Sequence, residues 1–283
     1  MSDTTGTGTI TGTVSGTVSG AVAGAVTEAS GVRPDALLAV QLLRLGDDAL
    51  VLGQRLCRWI TRAPTIEEDL ALSNIALDLV GHARILLTLS GRLDGTGRDE
   101  DDLAFARTDR EFTNLLLTEL PNGDFAATVA RQLAYTHYAV AYYEALGGCT
   151  DPELAAFGRR AAQEVAFHRL HADTWTVRLG LGTAESARRM QQGLDLVWPY
   201  TAEPFDEDDV VRALAAAGAV PSPAPLRTRW EESTAAVISR AGLTVPAPRW
   251  QARGGRAGLH SEEFGPLIAE LQSVRRQFPG GTW

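Results

Sequence analysis

Hydrophobic residues recur at three- and four-residue steps along most of the chain after residue 34. In the first such segment, about residues 36–61, they are Leu38, Leu42, Leu45, Leu52, Leu56 and Trp59. This spacing places them on one face of an α-helix. Similar segments follow at about 65–89, 124–146 and 152–179, separated by GRLDGTG, PNGD and GGCTDP. The pattern predicts four helices of about 25 residues each, broken by caps and turns, and such a set is typical of an antiparallel bundle.

Local signals predict where the helices begin and which elements follow them. Thr65 and Glu68 form a capping-box pattern, in which each side chain satisfies a free backbone N–H group. Pro152 suits a first helical turn, where its missing N–H is not needed. Signals for β-strands are nearly absent, so we expect an all-α fold. Shorter helical pieces are predicted within residues 98–118 and at about 184–198, 206–217, 226–241 and 262–277.

The first residues have a different composition from the rest of the chain. The units TITG, TVSG, TVSG and AVAG succeed one another and offer one small apolar residue each. Such a segment buries too little surface to offset the entropy lost on ordering. We therefore predict a disordered low-complexity tail over residues 1–35 and a single helical domain over 36–283. Within that domain, the bundle occupies about 36–180 and a helical extension about 181–283.

Charge and cysteine content exclude several classes of function. The formal net charge is −9, which disfavours nucleic acid and anionic membrane surfaces as partners. Cys57 and Cys149 stand alone, without the paired spacing of a disulfide framework or a thiolate metal site. The first basic residue is Arg33 and no apolar run approaches the roughly 20 residues of a membrane span, so we predict a cytoplasmic protein. Phosphate-loop, dinucleotide and serine-hydrolase motifs are absent from the sequence.

Two histidine–carboxylate pairs are the main candidates for chemistry. The second helix carries Asp78 and His82, and the fourth carries Glu164 and His168. Both pairs have i, i+4 spacing, which shares one helix face but is one residue longer than the Glu-x-x-His pair of dinuclear bundle sites. On the first helix, Asp48 is a further potential ligand.

The third helix argues against a complete metal site. A dinuclear site takes a central carboxylate from each bundle helix, yet the acids of this helix, Asp124 and Glu144, lie near its two ends. We therefore interpret the pairs as polar groups that satisfy each other, with no metal, cofactor-binding or catalytic residue in this chain. The alternative is a two-metal oxygenase that uses Asp48, Asp78, His82, Glu164 and His168.

Other conspicuous residues have structural interpretations. Tyr135, Tyr138, Tyr142 and Tyr143 are predicted to be core residues with a polar tip rather than redox groups. We expect His260, which precedes the last helix, to serve an interface or a cap rather than act as a base. The segment GGRAG at 254–258 is interpreted as a flexible basic loop.

Four long segments resemble a known family. LLRLGDDALVLGQRL, APTIEEDLALSNIALDLVGHAR, DLAFARTDREFTNLLLTELPNGDFAATVARQ and GGRAGLHSEEFGPLIAELQ are similar to the C subunits of bacterial ring 1,2-phenylacetyl-CoA epoxidases. The resemblance covers residues 37–283 and is free of gaps within these motifs.

The resemblance implies a ferritin-like four-helix bundle with additional C-terminal helices. It further implies a structural subunit of a multicomponent monooxygenase of aerobic phenylacetate degradation. In such complexes a homologous catalytic subunit holds the di-iron centre, and a reductase with flavin and an iron–sulfur cluster supplies electrons from NADPH. The C subunit pairs with the catalytic subunit as heterodimers that associate further. The metal-poor bundle and a long extension carrying Trp198, Trp230 and Trp250 fit that role.

Overall fold

Eleven α-helices build the part of the chain that the structure, a computed structural model, describes, which is residues 34–279 and 281. No β-strand occurs among those residues, so the predicted all-α fold is confirmed. The predicted disordered tail lies outside them, except that residues 34 and 35 already belong to the first helix. The helices are α1 (Pro34–Cys57), α2 (Ile66–Asp94), α3 (Glu100–Phe105), α4 (Leu116–Glu119), α5 (Phe125–Leu146), α6 (Pro152–Gly180), α7 (Ala184–Val197), α8 (Asp209–Ala216), α9 (Leu226–Arg240), α10 (Phe264–Leu271) and α11 (Ser273–Gln277).

The long helices α1, α2, α5 and α6 form the four-helix bundle. Helix α1 packs along α2, and α5 packs along α6, while α7 and α9 cover α5. As a result, α5 is buried almost throughout, including all four tyrosines that were predicted to be core residues. Trp198 and Trp230 are buried as well and contact each other at 5.4 Å between ring centroids. Trp198 and Trp230 of the extension are therefore core residues, whereas Trp250 is exposed.

Asx caps begin two of the bundle helices where the sequence predicts them. The carboxylate of Asp124 accepts the backbone N–H of Ala127 at 2.9 Å, and that of Asp151 accepts the N–H of Leu154 at 2.8 Å. At the start of α2 only half of the predicted capping box is present. Thr65 accepts the N–H of Glu68, but the Glu68 carboxylate reaches across to another helix instead of returning to Thr65.

Helix α2 continues to Asp94, five residues beyond its predicted end. It passes through Gly91, where a Cβ atom would lie 2.1 Å from the carbonyl oxygen of Arg98, so only glycine lets the following loop fold back this closely. Gly95 then ends the helix in the left-handed conformation, with φ at 75°. Gly91 thus permits a close backbone contact, whereas Gly95 ends the helix.

The last predicted helix is interrupted at Gln272. This residue separates α10 from α11, and its side-chain amide donates to the carbonyl oxygen of Arg107 at 2.8 Å. The break thus coincides with a long-range hydrogen bond, in a segment whose apolar spacing alone predicts one helix.

The segment GGRAG is held rigidly, which corrects its interpretation as a flexible loop. The buried carboxylate of Glu203 accepts the backbone N–H groups of Gly254 and Gly255 at 2.9 and 2.7 Å, and that of Leu116 at 2.9 Å. The guanidinium of Arg256 forms two hydrogen bonds to Asp48 of α1. These contacts fasten residues 254–258, hereafter the C-terminal loop, to the bundle.

His260 extends the same attachment. Its Nδ1 atom lies 2.7 Å from a carboxylate oxygen of buried Glu119, and Nε2 lies 3.0 Å from the carbonyl oxygen of Phe112. The ring stacks on Phe264 at 3.9 Å between centroids. His260 is therefore an internal bridge between residues 112–119 and the C-terminal region.

Among the described helices, α2 alone is long and apolar enough to cross a membrane, judged by length and composition. Inside the protein, however, it packs on α1 and carries three ionisable residues that pair with α6, namely Glu68, Asp78 and His82. Core helices of water-soluble bundles pass the same test of length and composition. Helix α2 nevertheless exposes several large apolar side chains, and contiguous exposure of this kind marks an interaction site.

Candidate functional site

The two predicted histidine–carboxylate pairs meet each other across the bundle. His82 Nε2 of α2 lies 2.6 Å from Glu164 Oε2 of α6, and His168 Nε2 of α6 lies 2.9 Å from Asp78 Oδ2 of α2. Each histidine thus pairs with the acid of the opposite helix rather than with the acid four residues before it. This arrangement follows from two antiparallel helices that turn their i, i+4 faces towards one another.

A third pair continues the series, and sequence reasoning missed it. His171 Nε2 lies 2.7 Å from Glu68 Oε2. His171 stands three residues after His168, so the sequence places both on one side of α6. The capping-box pattern predicts a different, local role for Glu68, together with Thr65. We call the three pairs Glu68–His171, Asp78–His168 and His82–Glu164 the ladder.

In two of the three pairs the histidine is buried and the acid is partly open to solvent, whereas in the third the side chains of Glu68 and His171 are 11% and 16% exposed. His82 and His168 are buried, whereas the side chains of Asp78 and Glu164 are 42% and 30% exposed. Burial opposes the charge of Glu164, but hydrogen bonds from His82 and Arg160 outweigh it and hold the pKa of this carboxyl below its ordinary value. Burial lowers the pKa of His168, and the adjacent Asp78 offsets that effect only in part. At neutral pH, His168 is therefore a neutral ring that donates Nε2–H to Asp78.

Asp48 does not join these residues, which corrects its inclusion in the candidate metal set. It is buried in α1 and accepts hydrogen bonds from Arg256 and from the backbone N–H of Leu115, at 2.7 Å each. Desolvation raises the pKa of Asp48 to about 6, against the opposing effect of Arg256. Its neighbour Asp47 pairs with Arg107 and Thr113 in the same region. Both acids of α1 thus face the loops and not the ladder.

The donor set does not fit a dinuclear metal centre. Over residues 34–279 and 281, no three His, Cys, Asp or Glu side chains converge closely enough to hold a metal ion. Moreover, a histidine that binds a metal through one ring nitrogen ordinarily donates a hydrogen bond from the N–H of the other to a supporting acceptor. His82 Nδ1 is buried without such a partner and lies among the rings of Tyr143 and Phe157. The ladder resembles a set of internal hydrogen-bonded pairs more than an open coordination site.

The depressed pKa of His168 predicts a pH-dependent stability. Because the unfolded chain takes up a proton at about pH 6.5 and the folded ring resists it, stability is complete above that pH and is lost as the pH falls below it. We expect the stability advantage of the wild type over His168→Gln, which retains a donor for Asp78, to shrink between about pH 8 and pH 5.5. Urea unfolding of both proteins at the two pH values measures this. An advantage that grows on acidification would contradict the assignment.

Comparison with known proteins agrees with this helical architecture. The family described as "Phenylacetic acid catabolic protein" matches residues 26–283. The chain belongs to that family. It is also 46% identical over 246 residues to the C subunit of the 1,2-phenylacetyl-CoA epoxidase of Escherichia coli (strain K12), an alignment that covers 87% of this chain and 99% of the relative.

Membership of this family confirms the resemblance seen in the sequence. The matched region includes the whole bundle, the ladder and the C-terminal loop. A relative of nearly full coverage that is named as one subunit of an epoxidase connects the chain to phenylacetate catabolism and to other subunits. A helical bundle with an all-α extension is consistent with a ferritin-like fold.

Proposed function

We propose that this protein is a structural, non-catalytic subunit of a phenylacetyl-CoA monooxygenase in aerobic phenylacetate degradation. In this role it pairs with a homologous di-iron subunit and stabilises it, and the heterodimers associate further. The di-iron centre belongs to that partner, and a reductase with flavin and an iron–sulfur cluster supplies electrons from NADPH. The predicted cytoplasmic location is part of the proposal. Its support is the named relative together with the chemistry of the ladder.

The observation that carries the proposal is that each polar group expected to bind metal already has a protein partner. Asp78 and Glu164 pair with His168 and His82 across the bundle, and Asp48 pairs with Arg256. In a di-iron bundle the corresponding carboxylates and imidazoles must point at shared ions. Here they neutralise or satisfy one another, which stabilises the interior without coordination chemistry.

Elemental analysis of the protein produced with ample iron tests the non-catalytic role. We expect less than about a tenth of an equivalent of iron per chain, because a half-complete donor set cannot retain the ion through purification. His82→Ala and His168→Ala should then lower stability or assembly without changing metal content. Stoichiometric iron that both substitutions remove would instead establish the alternative, an oxygenase that uses Asp78, His82, Glu164 and His168.

Activity of the reconstituted complex tests the structural role. We expect the di-iron subunit with its reductase to lose most turnover of phenylacetyl-CoA when this chain is omitted, and to recover it on addition of the His82→Gln, His168→Gln double variant, whose amides still donate to Glu164 and Asp78. Recovery by that variant separates support of the complex from chemistry within this chain. Full activity without this chain would overturn the proposal.

A further inference from the structure

The outer surface of α2 and α6 exposes a group of large apolar side chains. On α2, Ile66, Leu70 and Leu77 are 78, 61 and 69% exposed. On α6, Phe167 and Leu170 are 73 and 61% exposed. Within each helix the spacings of three, four and seven residues place these side chains on one stripe. We call the five residues the apolar face.

The ladder brings the two stripes together. Asp78 pairs with His168, so their sequence neighbours Leu77 and Phe167 lie at the same level along the antiparallel helices. The pair Glu68–His171 likewise joins the stretch of α2 that carries Leu70 to the stretch of α6 that carries Leu170. The two stripes therefore lie side by side at these two levels of the bundle.

The apolar face groups its exposed side chains together, whereas the surfaces of monomeric proteins ordinarily expose apolar residues singly. Contiguous apolar patches rimmed by polar side chains mark interaction sites. Around this patch stand exposed polar residues of the same helices, including Asn74, Arg84, Arg160 and Gln163. An apolar centre inside a polar rim is the composition of protein–protein interfaces.

Charge at the centre of the patch favours a different chain over a second copy. Asp78 directly follows Leu77, is 42% exposed, and has Glu164 one turn along the ladder. A two-fold related copy would bring two sets of these carboxylates together, which is unfavourable in a desolvated interface. The same acids, in a chain of net charge −9, oppose an anionic lipid surface.

We infer that the apolar face is the docking surface for the di-iron subunit, which meets it with an apolar helical surface and a cationic side chain opposite Asp78. This inference rests on the proposed function. The named relative is one subunit of a multi-subunit epoxidase, so a chain of this type has other subunits to meet. The ladder then has a second role, because it fixes the spacing of the two helices that form the surface.

Glutamate substitutions in the apolar face test the location. We expect Leu77→Glu and Phe167→Glu each to weaken binding of the purified full-length chain to the di-iron subunit by roughly 100-fold, since a buried charge replaces an apolar contact near the centre. Leu196→Glu is the matched control, because Leu196 is also helical and 50% exposed but lies on α7. Its affinity should equal that of the wild type. Titration calorimetry gives the affinities, and thermal unfolding confirms that each variant is folded.

Asp78→Asn tests the charge. An asparagine oxygen still accepts the Nε2–H of His168, so the bundle is retained while the negative charge is removed. We expect about tenfold weaker binding and a smaller salt dependence than for the wild type. Equal affinity and equal salt dependence would remove the cationic partner group from the proposal.

The outcomes separate this inference from the proposed function. If the wild type binds the di-iron subunit and both glutamate variants bind equally well, the surface is wrong and the function stands. If the wild type does not bind at all, the proposed function falls and the inference falls with it. Two further results overturn the choice of occupant: a wild-type dimer that Leu77→Glu dissociates, or binding to phosphatidylserine vesicles that Leu77→Glu abolishes.

Discussion

Replacement of Arg256 by Ala is expected to lower the free energy of unfolding by about 3–5 kcal/mol at neutral or alkaline pH. Arg256 donates to both carboxylate oxygens of buried Asp48 and to the carbonyl oxygens of Arg44 and Thr113. Removal of the guanidinium leaves Asp48 buried and without a counter-charge, and it unties the C-terminal loop from α1. Equilibrium denaturation in urea measures the change.

The pH dependence identifies the cause of that loss. Burial already raises the pKa of Asp48 to about 6 with Arg256 present, and the pKa rises further without it. A carboxyl whose folded pKa lies above its unfolded value stabilises the fold when protonated and loses that contribution as the pH rises between the two values. For the wild type this loss ends near pH 6, whereas it continues to higher pH in Arg256→Ala. The difference between the two proteins should therefore be larger at about pH 8 than at pH 5.

Arg253 provides the control for Arg256. It lies three residues earlier and pairs with Asp206, but both partners are about half exposed. Arg253→Ala should cost less than about 1 kcal/mol, as exposed ion pairs contribute little. Equal losses for the two alanine variants, or a loss from Arg256→Ala that does not depend on pH, would contradict the role assigned to the buried pair.

Gly255→Ala is the second change with a large expected effect, a loss of about 2–3 kcal/mol. A Cβ atom at this position would lie 2.1 Å from the carbonyl oxygen of Asn114 and 3.0 Å from the backbone nitrogen of Leu116. Both neighbours are backbone atoms, so no side-chain rotation relieves the clash. The Gly255 N–H bond to Glu203 must shift with them.

A second glycine shows whether the effect comes from this close approach. At Gly81 in α2, nothing outside the adjoining helical backbone lies within 4 Å of an added Cβ. Gly81→Ala should therefore be neutral or stabilise by up to about 1 kcal/mol through helix propensity and a less flexible unfolded chain. Thermal unfolding of both variants decides, and equal melting temperatures would show that the C-terminal loop is not closely packed on residues 114–116.

The bundle helices could be predicted because their signals are local. Apolar residues recur at helical spacing through α5, and Asp124 and Asp151 satisfy the first N–H groups of α5 and α6 within three residues of themselves. For Asp78, His82, Glu164 and His168, the shared helix face could be predicted but the partner of each residue could not. Their i, i+4 spacing places each pair on one face, but it does not say which helix that face meets.

What the sequence determined by itself is the helical framework, the absence of a central carboxylate from α5 and the membership of the phenylacetic acid catabolic protein family. Tertiary structure alone decided that Glu68 leaves its cap for His171 and that Asp48 turns to Arg256, which fixes the C-terminal loop to the bundle. It also decided that the exposed residues of α2 and α6 share one surface, through the pairing of their helices. The physical reason is distance along the chain. These contacts join residues that are 90, 103 and 208 positions apart, and local propensity does not extend that far.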